Sequence, residues 1–439
     1  MKKKKISPVK NGLKGELVIP GDKSISHRAV MFSSVCLGDV LIKNFLSAQD
    51  CLSTVECMKK LNVGIEKKSD TELLVHGVGL YGLQEPSGML DAGDSGTLLR
   101  LLMGLLAGQG FFSAFTGDAA LHKRPMGRVT RPLQQMGAEI YGRENATMIP
   151  LVTLAKEDRL AAITYDMPVA SAQVKSAIML AGMYADGPST VNEPYTSRDH
   201  TERMLKAMGA KVTKKGTSVT IYPPDELYPP KGGVIEVPGD ISSAAFWIVA
   251  ASVIDGSDIL LKNVGINKTR TGILDVMKKM GADITLVNEH KSSGEEIADI
   301  RVKSAKLKGT KFGAKIMPRL IDEIPIIAVA ALFAEGKTVI SGAGELKVKE
   351  TDRLQAIVDQ FNKIAPGAVE GTEDGLIITG GEMLKSATCF SYEDHRIARA
   401  LAIAGAAGPG VTIENPDCVD ISYPSFYSSL QYLAGGKLK

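Results

Sequence analysis

The hydrophobic pattern of the chain repeats. Six segments are rich in small apolar side chains, and they begin near residues 24, 95, 171, 242, 322 and 395. Segments such as SAQVKSAIMLAG and SSAAFWIVAASV are apolar over most of their surface, which predicts helices buried in a core. Several are followed by a β-branched stretch typical of a strand, as in SDILLKNV. The spacing of about 70–80 residues indicates a structural repeat.

A second kind of segment ends in Met-Gly-Ala and lies between the buried ones. It occurs as VTRPLQQMGAEI (129–140), ERMLKAMGAKV (202–212) and GILDVMKKMGADI (272–284), with a looser version at 55–66. In 272–284 the apolar residues share one helical face, and the glycine is typical of a helix end. Together these segments predict an α/β fold in which helix, strand, helix and strand form a unit that is used six times.

A Pro-Gly-Asp triplet precedes the first and the fourth buried helix, at 20–22 and 238–240. Because the triplet stands at the start of each half of the repeat array, it predicts two domains of three repeats each. The first domain is expected at 22–238, and the second combines 1–21 with 239–439. The chain would cross between the domains near 20–22 and again near 238–240.

Composition and charge describe an ordinary soluble protein. Hydrophobic residues make up 44% of the 439 residues, and the net charge of +3 is too small to indicate a nucleic-acid or membrane partner. The longest apolar run, at 324–334, is far shorter than the roughly 18 residues of a membrane span. The five cysteines lack CxxC spacing and the six histidines lack ligand spacing. We therefore expect a cytoplasmic protein without a metal or another cofactor.

Several of the buried helices begin with more polar residues than a helix cap requires. One Ser, Thr or Asp is enough for a cap, and the fourth helix start, DISSAAF, has only that. Four of the other starts carry more: Lys23, Ser24, His27 and Arg28; Ser171, Gln173 and Lys175; Asp322 and Glu323; Glu393, Asp394, His395 and Arg396.

Two further charged segments lie off these helices. One is the basic loop HKRPMGR at 122–128, and the other is KVKETDR at 347–353, where Lys349 and Arg353 would share a helical face with Glu350 beside them. Helix N-termini attract anions, and arginine binds phosphates and carboxylates through paired hydrogen bonds. The residues therefore predict a site for a small polyanionic molecule in the cleft between the two domains.

These motifs resemble those of the 3-phosphoshikimate 1-carboxyvinyltransferase family, also called 5-enolpyruvylshikimate-3-phosphate (EPSP) synthase, and are most similar to its class II subgroup. The resemblance spans nearly the whole chain and rests on nine motifs in the family's order: PGDKSISHR, GDSGTLLR, KRPMGR, SAQVKSA, SRDHTE, NKTR, DEIP, KVKETDRL and DHRIA. Membership implies two inside-out α/β barrels built from six βαβαββ repeats. It also implies transfer of the enolpyruvyl group of phosphoenolpyruvate to shikimate 3-phosphate in aromatic amino-acid biosynthesis.

The resemblance implies roles for individual residues. Shikimate 3-phosphate would be bound by Lys23, Ser24, Arg28, Ser171, Gln173, Asp322 and Lys349. Phosphoenolpyruvate would be bound by Lys23, Gly96, Arg124, Gln173, Arg353 and Arg396. Asp322 resembles the carboxylate that accepts the proton of the 5-hydroxyl, and either Lys23 or Glu350 would protonate phosphoenolpyruvate.

The chain departs from the family pattern at two positions. Glu345 stands where many members have an asparagine, and Asp417 stands where many have a lysine. The resemblance therefore carries no substrate contact to either residue. A monomer is expected, since two domains already bury the repeats.

Two other functions compete with this interpretation. The sibling enzyme that transfers enolpyruvate to UDP-N-acetylglucosamine typically has a reactive cysteine in a mobile loop, and the comparable loop here, TGDAALHKRPMGR, has none. A non-catalytic protein that binds phosphorylated metabolites would gain nothing from the carboxylates of Asp322 and Glu350 beside bound anions.

Overall fold

The computed structural model describes residues 2–436. The chain forms two compact units. The N-terminal unit consists of 21–237 together with 291–295, and the C-terminal unit consists of the residues up to Pro20, 238–290 and the residues from 296 onward. No sequence pattern indicated that 291–295 would belong to the N-terminal unit.

The helices alternate between fully buried and amphipathic segments, as the repeat predicts. The six buried ones begin within two residues of their predicted positions, and every residue of the one at Ile324–Leu332 is buried. The helices are α1 (Lys23–Ser34), α2 (Gln49–Lys60), α3 (Gly96–Leu106), α4 (Gly127–Gln135), α5 (Ala172–Gly182), α6 (His200–Ala207), α7 (Ile241–Val253), α8 (Gly272–Lys279), α9 (Ile324–Leu332), α10 (Arg353–Ile364), α11 (His395–Ala407) and α12 (Phe426–Leu433).

The strands are short, and many alternate between buried and exposed residues, so one face of a sheet packs on the helices. They are β1 (Lys3–Ile6), β2 (Lys14–Val18), β3 (Leu37–Lys43), β4 (Gly64–Ser69), β5 (Glu72–Val78), β6 (Leu90–Asp91), β7 (Ser113–Thr116), β8 (Ile140–Gly142), β9 (Met148–Thr153), β10 (Thr164–Asp166), β11 (Ser189–Asn192), β12 (Val212–Lys215), β13 (Ser218–Ile221), β14 (Val234–Glu236), β15 (Asp258–Gly265), β16 (Asp283–Ser292), β17 (Glu295–Lys303), β18 (Lys311–Phe312), β19 (Gly336–Ile340), β20 (Val369–Gly371), β21 (Leu376–Gly380), β22 (Ala387–Phe390) and β23 (Val411–Glu414).

Shorter helical segments lie between these elements. The four-residue segment Arg143–Ala146 has left-handed backbone at Glu144 and Asn145. The 3₁₀ helices are Leu121–Lys123, Met317–Arg319, Ile321–Glu323, Gly344–Val348 and Pro416–Ile421. Over the described residues, no helix is both long and apolar enough to cross a membrane.

Within 2–436 the strands form five four-stranded sheets and one three-stranded sheet. The order β10-β11-β13-β12 is typical: β10 and β11 are parallel and flank α5, and β12 and β13 form an antiparallel hairpin after α6. The full repeat is therefore βαβαββ. In the C-terminal unit α7, α9 and α11 pack against one another, so the helices form the core and the sheets cover it.

The strands that precede the two Pro-Gly-Asp triplets are exchanged between the halves of the sequence. β2 lies just before the first triplet but pairs in parallel with β15, which follows α7. β14 lies just before the second triplet but pairs in parallel with β3, which follows α1. Each triplet thus ends a strand of one unit and begins a helix of the other.

The triplets also have local roles. The side chain of Asp22 accepts a hydrogen bond from the Ile25 backbone N–H at 2.9 Å, and Asp240 accepts one from the Ser242 N–H at 3.0 Å, so each aspartate caps its helix. A Cβ atom on Gly21 would lie 2.0 Å from the Asn44 carbonyl oxygen. This close approach of two backbone segments requires glycine.

Besides β2, a second strand from the beginning of the chain, β1, belongs to the C-terminal unit. β1 pairs antiparallel with β23, so that Lys3 lies opposite Glu414 and Ile6 opposite Val411. In the N-terminal unit, 291–295 is held through a buried contact between His200 Nδ1 and Glu295 Oε1 at 2.7 Å. Both units are therefore built from discontinuous parts of the sequence.

Candidate active site

Arg28 joins three helices of the N-terminal unit at the start of α1. Its Nη1 donates to the Ser24 carbonyl oxygen at 2.9 Å, its Nε to Thr201 Oγ1 at 2.8 Å and its Nη2 to Ser176 Oγ at 2.7 Å. The residue is only 3% exposed. Because three separate elements hold the guanidinium, its position is fixed before any ligand arrives.

Lys23 begins α1 and forms an ion pair with Asp50 in the first turn of α2. Asp50 is buried, whereas the Lys23 side chain is 22% exposed. The carboxylate restrains an ammonium group that remains accessible at one side. Sequence reasoning missed Asp50, since the segment SAQDCLST carries no motif.

His27 lies on α1 and connects this helix to α2 and α3. Its Nδ1 lies 2.6 Å from Thr54 Oγ1, and its Nε2 lies 3.3 Å from Ser95 Oγ, the cap of α3. Burial lowers the pKa of His27 well below its usual value, and the charges of Lys23 and Arg28 lower it further. The ring is therefore a neutral hydrogen-bonded bridge at neutral pH.

Gly96 and Arg124 are brought together at the start of α3. Arg124 Nη1 donates to the Asp94 carbonyl oxygen at 3.4 Å. A Cβ atom on Gly96 would lie 3.0 Å from the guanidinium carbon of Arg124. The absence of a side chain at this position thus makes room for the guanidinium.

Gln173 is oriented by two residues near Gly96. Its Nε2 donates to Thr97 Oγ1 at 2.9 Å, and its Oε1 accepts a hydrogen bond from Arg100. Arg100 also donates to the Pro125 carbonyl oxygen at 3.2 Å, in the predicted basic loop. Sequence reasoning missed Arg100, although it is the last residue of the motif GDSGTLLR.

The start of α5 is anchored by a buried ion pair cluster. Ser171 accepts a hydrogen bond from the Val174 N–H at 3.4 Å and caps the helix. Lys175 is fully buried, and its Nζ lies 2.9 Å from Glu193 Oε2 and 2.7 Å from Glu202 Oε1. Burial alone would lower the pKa of Lys175, but the charges of Glu202 and Glu193 raise it. Lys175 therefore anchors the helix that carries Ser171 and Gln173.

The C-terminal unit gathers a second set of predicted residues around Asp322. Asp322 Oδ1 accepts hydrogen bonds from Lys349 Nζ at 3.2 Å and from Arg353 Nη1 at 3.4 Å. Arg353 also donates to Glu350 Oε2 at 2.6 Å and to Asp394 Oδ2 at 2.7 Å. Burial would lower the pKa of Arg353, but these three carboxylates raise it above its usual value.

The predicted helical face at 349–353 is wrong. A 3₁₀ helix ends at Val348, Lys349 has an extended backbone, and α10 begins only at Arg353. The cause is Asp352, whose side chain accepts from the Gln355 N–H at 3.1 Å and caps α10. Lys349 and Arg353 nevertheless meet, because both donate to Asp322.

Arg396 lies in the first turn of α11, beside the same cluster. Its Nη1 donates to the Asp322 carbonyl oxygen at 3.2 Å and lies 4.0 Å from Glu323 Oε1. Asp394 caps the helix by accepting from the Arg396 N–H at 2.8 Å. One short segment around Asp322 therefore meets cations from three elements.

The start of α7 is more polar than predicted. Arg270, from the motif NKTR, donates to Asp240 Oδ1 at 3.1 Å and to Ser242 Oγ at 2.9 Å. Ser242 in turn donates to Glu323. The cation reaches this helix start from the loop before α8, 30 residues away along the chain, so the segment DISSAAF alone did not reveal it.

The two residues that depart from the family pattern have surface or loop positions. Glu345 lies in the 3₁₀ helix Gly344–Val348. Asp417 is exposed and forms an ion pair with Lys2. Among residues 2–436, no group of three or more His, Cys, Asp and Glu side chains is arranged to hold a metal ion.

Comparison with known proteins assigns the chain to a family. A family model described as EPSP synthase (3-phosphoshikimate 1-carboxyvinyltransferase) matches residues 8–430. A 3-phosphoshikimate 1-carboxyvinyltransferase of Bacillus cereus is 52% identical over 435 residues, which cover 99% of this chain and 100% of the relative. One from Desulforamulus reducens is 52% identical over 427 residues, covering 97% and 98%.

Solved structures agree with the sequence comparison. An EPSP synthase from Acinetobacter baumannii superimposes with a TM-score of 0.88 at 41% identity, covering 99% of this chain and 98% of the other. The enolpyruvyl transferase NikO from Streptomyces tendae has a TM-score of 0.74 at 16% identity with the same coverage, which shows a shared fold alone. The predicted fold class and resemblance are confirmed: this chain has the enolpyruvyl transferase fold and belongs to the EPSP synthase (3-phosphoshikimate 1-carboxyvinyltransferase) family of enzymes.

Proposed function

We propose that the chain transfers the carboxyvinyl group of phosphoenolpyruvate to the 5-hydroxyl of shikimate 3-phosphate, in the shikimate pathway. The hydroxyl oxygen adds to C2 of phosphoenolpyruvate while C3 gains a proton. The bond from C2 to the phosphate oxygen then breaks, C3 loses a proton and inorganic phosphate leaves. The observation that carries the proposal is the cluster of Lys349, Glu350 and Arg353 around Asp322, on two of the family's motifs.

The N-terminal unit supplies cations and neutral donors for the anionic groups of both substrates. Lys23, Ser24 and Arg28 bind shikimate 3-phosphate, and Arg28 is already fixed for this role by Thr201 and Ser176. Ser171 and Gln173 add hydrogen bonds to the same substrate. Phosphoenolpyruvate is bound by Lys23, Gly96, Arg124 and Gln173.

The C-terminal unit supplies the base. Asp322 accepts the proton of the 5-hydroxyl, since an alcohol is a weak nucleophile until a base removes that proton. Lys349 and Arg353 stabilise the ionised carboxylate through their charges. Lys349 and Asp322 also bind shikimate 3-phosphate, and Arg353 and Arg396 bind phosphoenolpyruvate.

Arg353 binds phosphoenolpyruvate by exchanging partners. Its nitrogens donate to Asp322, Glu350 and Asp394 in the structure. Of these carboxylates, Glu350 is on the most exposed side chain, 16%, so it is the partner that a substrate anion displaces most readily. The displaced Glu350 carboxylate can then take up a proton from solvent, and the resulting carboxylic acid is available as the proton donor to C3. Lys23 is the alternative donor.

The test is release of inorganic phosphate by the purified full-length chain. Phosphate is expected only when phosphoenolpyruvate and shikimate 3-phosphate are both present. Replacing shikimate 3-phosphate with UDP-N-acetylglucosamine should give none, and phosphate release with that nucleotide would assign the chain to the sibling reaction. Binding of both substrates without phosphate release would leave a non-catalytic binding protein.

Individual site residues are tested by Arg396→Ala and Arg28→Ala. Arg396→Ala should raise the KM for phosphoenolpyruvate, because truncation of one member of a buried charge pair costs about 2–5 kcal/mol. Arg28→Ala should mainly raise the KM for shikimate 3-phosphate. Unchanged KM values would remove these residues from the site.

We also propose that the protein acts as a monomer in the cytoplasm, without a nucleic-acid or membrane partner and without a cofactor. The net charge of +3 is too small to attract a nucleic acid or a membrane surface by bulk electrostatics. A stable dimer in sedimentation equilibrium would contradict the monomer.

A further inference from the structure

Arg399 is a buried cation that the proposed function does not use. It lies on α11, one turn beyond Arg396, and is 1% exposed. Its Nε donates to the His395 carbonyl oxygen at 3.1 Å, and its Nη2 donates to Ser422 Oγ at 3.2 Å. Its guanidinium carbon lies 4.5 Å from the centre of the Phe246 ring. These partners are all uncharged.

The remaining nitrogen of Arg399 has no hydrogen-bond partner among residues 2–436. Its Nη1 is buried and makes no hydrogen bond within the described part of the chain. No carboxylate among those residues lies within ion-pair distance of the guanidinium, and Asp240 and Asp394 act on it only from farther away. The structure therefore buries a positive charge without a paired anion.

Arg353, in the same unit, shows how such a charge is ordinarily accommodated. It is also 1% exposed, but three carboxylates surround it and raise its pKa. For Arg399, the pKa is lowered to about 9, mainly by burial and in addition by the nearby charge of Arg396. The guanidinium stays protonated at neutral pH, so the chain retains a charge that destabilises its folded state.

A destabilising group in a core indicates a functional requirement, since an apolar side chain of similar length would give a more stable protein. For Arg399, that functional requirement is a positive electrostatic potential at the N-terminus of α11. Charges interact strongly across a low-dielectric interior, and Arg399 lies one helical turn from Arg396. The 3₁₀ helix Pro416–Ile421, which Ser422 follows, contributes the acidic residues Asp417 and Asp420 and no cation.

We propose that Arg399 is a positioning residue that strengthens anion binding at Arg396 without touching the anion. Its buried charge adds to the positive potential of Arg396 and of the α11 N-terminus. The inference rests on the proposed role of Arg396 in binding phosphoenolpyruvate. It predicts that Arg399 contributes to affinity through its charge, at the expense of stability.

The test compares two neutral variants, Arg399→Met and Arg399→Gln, of which only the second keeps a hydrogen-bond donor for Ser422. Both should raise the KM for phosphoenolpyruvate about 3- to 10-fold, because both remove a charge acting across a low-dielectric interior. The kcat and the KM for shikimate 3-phosphate should stay within about twofold of the wild-type values. The melting temperature of Arg399→Met should equal or exceed that of the wild type.

Three outcomes would overturn the proposal. An increase in KM for Arg399→Met alone would assign the effect to hydrogen bonding and not to charge. A structural role of Arg399 would be indicated if Arg399→Met melts at a lower temperature than the wild type or fails to fold. It would also be indicated if the KM values for both substrates rise together. An unchanged KM for phosphoenolpyruvate in both variants would show that the charge of Arg399 does not contribute to anion binding.

Arg396→Ala separates this inference from the proposed function. If Arg396→Ala leaves the KM for phosphoenolpyruvate unchanged, Arg396 does not bind this substrate. The inference about Arg399, which rests on that binding, is then also contradicted. If Arg396→Ala raises that KM and the Arg399 variants do not, only the inference about Arg399 is wrong.

Discussion

Asp322 is the proposed catalytic base, and the structure places its carboxylate in contact with two cations. One of its carboxylate oxygens accepts from both Lys349 and Arg353. Because Glu323 occupies the N-cap position of α9, Asp322 lies one residue ahead of the cap. Its contacts with two cations distinguish Asp322 from an aspartate that only caps a helix.

Asp322→Asn tests that role. Asparagine keeps the size and an acceptor oxygen for Lys349, but it cannot accept the proton of the 5-hydroxyl. We expect kcat to fall by about 10²–10⁴-fold, as is typical for loss of a general base, with near-normal binding of shikimate 3-phosphate. The measurement is steady-state turnover together with a binding titration. Full turnover in the variant would place the base on another residue.

Gly96→Ala tests the close approach of α3 and Arg124. The added methyl carbon would lie 3.0 Å from the guanidinium carbon and 3.1 Å from Nη2, so the guanidinium must move by a few tenths of an ångström. Since small displacements of positioning groups are costly, the KM for phosphoenolpyruvate should rise about tenfold. Stability should change little, because the contact is with the end of a flexible side chain. Gly88→Ala, where a Cβ atom would meet open space, is the matched control.

The sequence predicted the residues that lie on motifs but not the partners that hold them. Lys23, Arg28 and Gln173 stand in recognisable segments. Their partners Asp50, Thr201 and Arg100 come from other helices, 27, 173 and 73 residues away along the chain. No local pattern reports such a pairing, because it depends on how the helices pack.

At the scale of elements, α1, α2 and the N-cap of α3 meet at His27. Its ring contacts Thr54 and Ser95 and is buried beside Lys23 and Arg28. The pKa of His27 is therefore lower in the folded than in the unfolded state. Its contribution to stability is fully present above the unfolded pKa of about 6.5 and is lost as the pH falls through the folded pKa.

His76 should titrate in the opposite direction. Hydrogen bonds to Asp39 and Glu66 raise the pKa of this partly exposed residue on β5. Its contribution is present below about pH 6.5 and is lost as the pH rises through its folded pKa. In an NMR titration, His76 should therefore change protonation above the range of a free histidine and His27 below it. Equal pKa values for the two rings would contradict both assignments.

Helix positions were easier to predict than the segments between helices. The buried helices have long apolar runs, and their starts lie close to the predicted ones. The segment 347–353 was predicted as a helix from the spacing of two cations, but charges at that spacing also occur where a 3₁₀ turn and a capped helix follow each other. Asp352 decided the outcome, since its side chain caps α10.

At the scale of the molecule, the two units differ in how much of the chain each requires. The sheets built from β3 to β14 are formed by strands that all lie within 21–237. The C-terminal unit needs β1 and β2, since β2 fills the edge beside β15 and β1 the edge beside β23. The sequence analysis assigned 1–21 to the second domain and 22–238 to the first, but it did not predict that β2 pairs with β15 or that β14 pairs with β3.

Fragments test this difference. The fragment 21–237 should unfold cooperatively on heating, whereas 238–439 should not, because two of its sheets lack an edge strand. Joining 1–20 to 238–439 through a short glycine linker should restore cooperative unfolding, since the Asp240 N–H already donates to the Pro20 carbonyl oxygen at 2.9 Å. The measurement is circular dichroism during thermal unfolding. Equal cooperativity with and without 1–20 would show that β1 and β2 are dispensable.

The pairing of β1 with β23 has a consequence for synthesis of the protein in the cell. β1 is made long before its partner at Val411–Glu414. At about 5–20 residues per second, the roughly 400 intervening residues take about 20–80 s to be translated. During that time the lysine-rich strand Lys3–Ile6 stays unpaired and relies on its charge to avoid aggregation. The strand β1, which is synthesised first, can therefore pair only after the last strand of the chain has been synthesised.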